Sequence, residues 1–136
     1  MANTLYTKAK EKMLYKQLDF TASAAYPIKA ALVKSTYPLN LADEFFSSVS
    51  SYVVGTPQTL ANRTITGGVF DADDVTFAAL TAGYTCGRVV LYVATGDNAT
   101  SSLVASIDTI TGFPLTTNGG DVVVRWDNGA YKIFSL

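Results

Sequence analysis

The chain is predicted to be mainly β, a jelly-roll-like sandwich or barrel with a short N-terminal helix. Three observations carry this. Beyond residue 52, apolar residues come in short runs or in alternation, with Val, Ile, Thr, Tyr and Phe recurring between Gly and Asn turns. That is the pattern of half-buried strands, and roughly seven or eight such runs suit a two-layer β domain. Helical spacing is clearest at the start, where Leu5, Ala9, Met13 and Gln17 fall on one face.

Taken in order, Asn3 or Thr4 is suited to accept the free N–H groups that open a helix, and the spacing predicts a helix over 4–17. Tyr6 and Leu14 lie beside its apolar face, while Lys8, Lys12 and Lys16 form a separate row. The stripe is thin, so this helix must lie against its own sheet or a neighbouring subunit. Residues 26–33 read as a strand. Pro27 places itself at the strand's start or on an edge, because proline donates no ladder hydrogen bond; Ile28, Ala30 and Leu32 would share a face. Residues 35–40 connect to 41–49, which reads as a short helix capped by Asn40 and anchored by Phe45, Phe46 and Val49. The alternative is an irregular arm pinned by the two phenylalanines.

The strands follow. Segments 53–54 and 59–65 are short and Thr-rich, and Gly67-Gly68 breaks the run. In 73–80 the apolar positions are Val75, Phe77 and Ala79. Segment 88–94 is filled on both faces and is therefore central or covered by another layer. A turn over 95–100 leads to 103–107. Val122, Val124 and Trp126 then alternate, and Asp127-Asn128-Gly129 is predicted to fold a hairpin onto Tyr131, Ile133 and Phe134, since Asn-Gly accepts positive φ in a tight turn. The simplest partition is a helical arm over 1–20 and a β-sandwich domain over 21–136.

The totals narrow the chemistry. With 136 residues the chain suits one domain, and 15% charged residues is well below the usual quarter, a surface suited to burial against neighbours. Residues 1–34 hold six Lys and two acids, net +4; residues 35–136 hold four cations and nine acids, net −5. Opposite ends of this kind can guide docking between subunits. Lys8, Lys10, Lys12 and Lys16 are diluted by Glu11, so direct nucleic-acid binding is not expected. No apolar run is long enough to span a bilayer, no basic-then-apolar signal segment opens the chain, and synthesis in the cytoplasm is expected.

Histidine is absent and Cys86 is the single cysteine. The commonest general base and the usual zinc donors are therefore missing, Cys86 reads as a buried small hydrophobe, and neither an enzyme nor a cofactor or metal is expected. Asp71, Asp73 and Asp74 are the nearest approach to a reactive cluster. They lack the spacing of a calcium loop and read as turn-formers that bond their own backbone. What remains is a surface touched by other proteins, with Leu5, Ala9, Met13, Phe45, Phe46, Tyr52 and Trp126 as interface candidates. Trp126 reads first as core, otherwise as an anchor of the kind enriched at interfaces.

Two long segments carry a resemblance. Thr64-Ile65-Thr66-Gly67-Gly68-Val69-Phe70-Asp71-Ala72-Asp73-Asp74-Val75-Thr76-Phe77, and Asn118-Gly119-Gly120-Asp121-Val122-Val123-Val124-Arg125-Trp126-Asp127-Asn128-Gly129-Ala130-Tyr131-Lys132-Ile133-Phe134, resemble small virion proteins of tailed bacteriophages. Lys8-Ala9-Lys10-Glu11-Lys12 and Ile28-Lys29-Ala30-Ala31-Leu32-Val33 look like that family's opening helix and first strand; Lys16-Gln17-Leu18-Asp19-Phe20 departs from its pattern. In size and β content the chain is similar to the cement, or decoration, protein of a Bordetella phage head. The resemblance implies a homodimer on the capsid surface that binds the major capsid protein and holds the lattice against internal pressure, without nucleic acid or membrane as partner. A tail or baseplate component, and a glycan-binding module on the virion surface, are the alternatives it leaves open.

Overall fold

The computed structural model describes residues 3–21, 25–110, 112–126, 129 and 132–135. In chain order the elements are β1 (Thr4–Leu5), α1 (Thr7–Leu14), β2 (Ile28–Lys34), two 3-10 turns (Phe46–Ser48 and Ser50–Tyr52), β3 (Val53–Thr59), β4 (Thr64–Thr66), β5 (Val69–Asp71), β6 (Val75–Phe77), β7 (Thr85–Val93), β8 (Ser102–Ile107), β9 (Leu115–Thr116), β10 (Val122–Val124) and β11 (Phe134–Ser135). Antiparallel sheets dominate. The largest has the order β1-β8-β7-β2-β3, with β9 also on β7; β10 pairs with β6, and β11 with β5, which pairs in turn with β4.

The large sheet has two covered faces. Along β2 and β7, Ile28, Ala30, Leu32, Val89, Leu91 and Val93 point into one core with Phe70, Phe77, Val124 and Phe134 from the smaller sheets and Trp126 and Ile133 from the segments beside them. Ala31, Val33, Val90 and Tyr92 point the other way, into a second cluster with Tyr6, Ala9, Tyr37, Phe46 and Val49 from α1 and the 3-10 turns. Successive side chains of a strand alternate faces, so a strand apolar at every position must be buried on both. That is why β7, flanked by β2 and β8, is central as its sequence indicates. Cys86, at 0% exposure, belongs to the first core.

Several expectations are corrected. The helix is shorter than 4–17. Residues Thr4 and Leu5 pair instead with Ser106 and Ala105 of β8, and Asn3 caps no helix: its Oδ1 accepts from the backbone N–H of Asp108 and Thr109, at 3.2 and 3.0 Å. The C-terminal end is set by Lys16, at φ 58°. Gln17 N–H donates to Lys12 O at 2.8 Å and Lys16 N–H to Met13 O at 3.2 Å, the paired bonds of a Schellman stop. Segment 41–49 is not an α-helix. Asn40 Oδ1 accepts from Ala42 N–H, and the chain is an irregular arm pinned chiefly by Phe46, whose ring stacks on Tyr92 with centroids 3.8 Å apart.

Strand β3 is one run rather than 53–54 followed by a strand from 59. Gly55 (φ 74°) and the register shift opposite Ala30 and Leu32 absorb the irregularity, and Pro57 is tolerated because β3 is an edge. Strand β6 stops at Phe77, since Ala79 has φ 48° and donates its N–H to Asp121 Oδ1. The hairpin of β10 onto β11 does not form among the described residues: Val122–Val124 pairs with β6, and Phe134 with Phe70 of β5. Asp127, Asn128 and Tyr131, on which that expectation turned, lie outside the described residues.

Candidate functional site

The interface candidates divide by burial. Ala9 (0%), Phe46 (3%) and Trp126 (7%) are buried inside this chain. Leu5 packs against the first core, Met13 against both clusters and Tyr52 against the second, where its ring lies 5.5 Å from that of Tyr37. Phe45 lies beneath Lys12, whose Nζ is 4.6 Å from the ring centroid. That ammonium also donates to Ser102 Oγ at 2.8 Å and faces Glu44 at 3.0 Å. These contacts tie α1 to the sheet and the arm instead of presenting a free apolar face.

The exposed apolar surface of α1 is elsewhere. Leu14 is 86% exposed and Tyr15, its C-cap, 72%. Helix geometry explains why the stripe of Leu5, Ala9 and Met13 missed them: the residue after Met13 is turned about 100° round the axis. Lys10 precedes Leu14 by one turn and sits on the same face. Lys8 is engaged by Glu11 at 3.1 Å. The tip is thus an apolar pair flanked by cations. The available signal was the Leu14-Tyr15 dipeptide itself, two large apolar residues at a helix end with Lys on both sides.

The acidic run organises Trp126. Asp74 Oδ1 accepts from Trp126 N–H at 3.0 Å, and the carbonyl of Asp73 accepts from indole Nε1 at 2.9 Å. Asp73 also takes the side-chain amide of Asn62. Asp97 holds the turn before β8 in the same manner, its Oδ1 accepting from Ala99 N–H at 2.9 Å. Among the described residues no group of three His, Cys, Asp or Glu is arranged to hold a metal ion.

The titratable groups in the interior are tyrosines and a thiol. Tyr6 Oη and Tyr37 Oη are 3.0 Å apart, and Tyr37 donates to Asp43 Oδ2 at 3.3 Å. Burial, then the Tyr37 hydrogen bond, pushes the Tyr6 hydroxyl far above the usual tyrosine range. Burial also raises Tyr37 and pushes Tyr92 up to about 12. Burial raises the Cys86 thiol, with Lys34 opposing, the reverse of what an activated thiolate needs. Among the described residues no helix is long and apolar enough to cross a membrane.

No protein-family model matches the chain, and no curated protein or solved structure matches it either.

Proposed function

We propose that this chain is a structural protein of a tailed-phage virion: a jelly-roll-like cement or decoration protein, dimeric on the head, that binds the outer face of the major capsid protein lattice without covalent bonds. The observation that carries the reading is the tip of α1, where two consecutive large side chains, Leu14 and Tyr15, both stand in solvent. Large apolar side chains exposed together mark protein contacts more often than chance surface. Tyrosine anchors with a charged rim suit a modest contact. Repeated over a lattice, modest contacts sum to a strong clamp. The two long segments that resemble virion proteins and the low charge content support the same reading.

The test is capsid survival. Particles assembled without the protein should lose resistance to heat and osmotic shock and regain it when purified protein is added back. A Leu14→Ser, Tyr15→Ser double variant should fold but fail to restore it. Survival that does not depend on the protein overturns the clamping role, and labelled protein found along the tail replaces the head with the tail as its location.

A further inference from the structure

We propose that the cleft at the uncovered end of the second face of the large sheet binds an acidic monosaccharide unit, with the sugar carboxylate on Lys29 and its ring against Tyr26. The cleft lies between the start of β2, the end of β7 and the turn before β8. It encloses about 460 Å³, and Tyr26, Lys29, Tyr92, Thr95, Asn98 and Ser101 are among the residues lining it. That volume is in the range of small-ligand sites.

Its origin is visible in the register. Lys29 is directly opposite Tyr92 of β7, on the face that α1 and the 3-10 turns cover. Phe46 stacks on Tyr92 and holds that ring as a wall, but the cover stops there and Lys29 stands beyond it, only partly exposed. Among the described residues no carboxylate forms an ion pair with Lys29. Asp97, in the adjoining turn, bonds Ala99 N–H and does not line the cleft. An ammonium that lines a cleft and has no carboxylate partner there favours an anion, and a charge-assisted hydrogen bond is stronger than a neutral one.

The other walls specify more than charge. Tyr26 is 51% exposed and offers a flat aromatic face, with a polar tip, to the C–H face of a sugar ring. The Tyr92 hydroxyl and the Asn98 side-chain amide make no hydrogen bond to another described residue, which leaves a donor–acceptor pair for sugar hydroxyls. Among the described residues Lys29 is the single cation lining the cleft. One cation, one open ring and two free neutral groups fit one acidic sugar better than a run of acidic peptide side chains.

The full chain, isotope-labelled, is titrated with glucuronic acid, its methyl ester, glucose and an Asp/Glu-rich peptide while backbone amide shifts are followed. Glucuronate should move the amides of Tyr26, Lys29 and Asn98 with an affinity of about millimolar, and the ester and glucose should bind on the order of tenfold more weakly. Lys29→Gln should erase the preference for the acid, and Tyr26→Ala should weaken acid and neutral sugar alike. Absence of shifts in these residues, equal response to glucose and glucuronate, or preference for the acidic peptide overturns the proposal. Should Lys29→Gln fail to fold, the comparison of acid with ester on the unaltered chain decides it. The experiment needs only the isolated protein, so its outcome is independent of capsid binding.

Discussion

Trp126 is gripped at two points by consecutive residues, its indole Nε1–H by the Asp73 carbonyl and its backbone N–H by the Asp74 carboxylate. Removing an acceptor from a part-buried N–H typically costs about 1–3 kcal/mol. Asp74→Ala should therefore lower the unfolding free energy measured in urea by that much, whereas Asp74→Asn, which keeps an acceptor oxygen, should lose far less. Calcium or a chelator should shift neither, since the carboxylate acts on the backbone; a calcium-dependent midpoint would instead assign it to an ion. The buried tyrosines give a second outcome. Each phenol ionises less readily folded than unfolded, so the stabilisation is complete below the unfolded value near 10 and is lost as pH rises, toward about 12 for Tyr92 and higher for Tyr6. The tyrosine contribution to stability, measured against pH, should fall in this alkaline window. Tyr6→Phe should remove about 1 kcal/mol at neutral pH, for the lost hydroxyl pair, and soften the alkaline fall.

Among the elements, α1 stops on a residue poorly suited to the left-handed conformation it adopts. Lys16, at φ 58°, carries a Cβ that disfavours this region by about 1–2 kcal/mol. Lys16→Gly should accordingly stabilise the chain by roughly 0.5–1 kcal/mol, read as a rise in thermal midpoint with no change at Leu14 or Tyr15. The sequence made some elements plain and hid others, for local reasons. Strand β7 was legible because its apolar residues fill both faces, and β2 because Ile28, Ala30 and Leu32 repeat every second position. The ends of α1 were not, because β8 competes for Thr4 and Leu5 across a hundred residues of chain, roughly, and no local signal reports a partner that distant. The partner of β10 was likewise hidden: an Asn-Gly turn signals a local hairpin, while the actual pairing to β6 is set by Val75 and Phe77 facing the shared core. At the candidate site, helical spacing found the side of α1 that docks on its own sheet, through Ala9 and Met13, and passed over the tip that does not. The cleft beside Lys29 arises from strand register and from where the covering turns end, neither of which is written in adjacent residues.

At the scale of the molecule, charge and exposure are separated from stability. Leu14 and Tyr15 belong to neither core, so the Leu14→Ser, Tyr15→Ser variant should unfold within about 0.5 kcal/mol of the parent while, on the proposed reading, losing its hold on capsids; a large loss of stability would show that the tip is structural. On the proposed reading, the flanking lysines make attachment to the capsid weaken as salt rises, because exposed charges are screened within about 10 Å at 0.1 M. Binding to particles measured across a salt series should show that decline, and salt-independent binding would leave the contact wholly apolar.

The large sheet is closed at one border by a strand taken from near the start of the chain, since Thr4 finds its partner in Ser106. A nascent polypeptide would thus carry its opening segment past the ribosome with nothing to zip onto until residue 107 had cleared the exit tunnel. Proteases and chaperones could reach Thr4 and Leu5 until then, and the disappearance of these residues from their reach would mark the moment at which translation had supplied the rest of the border.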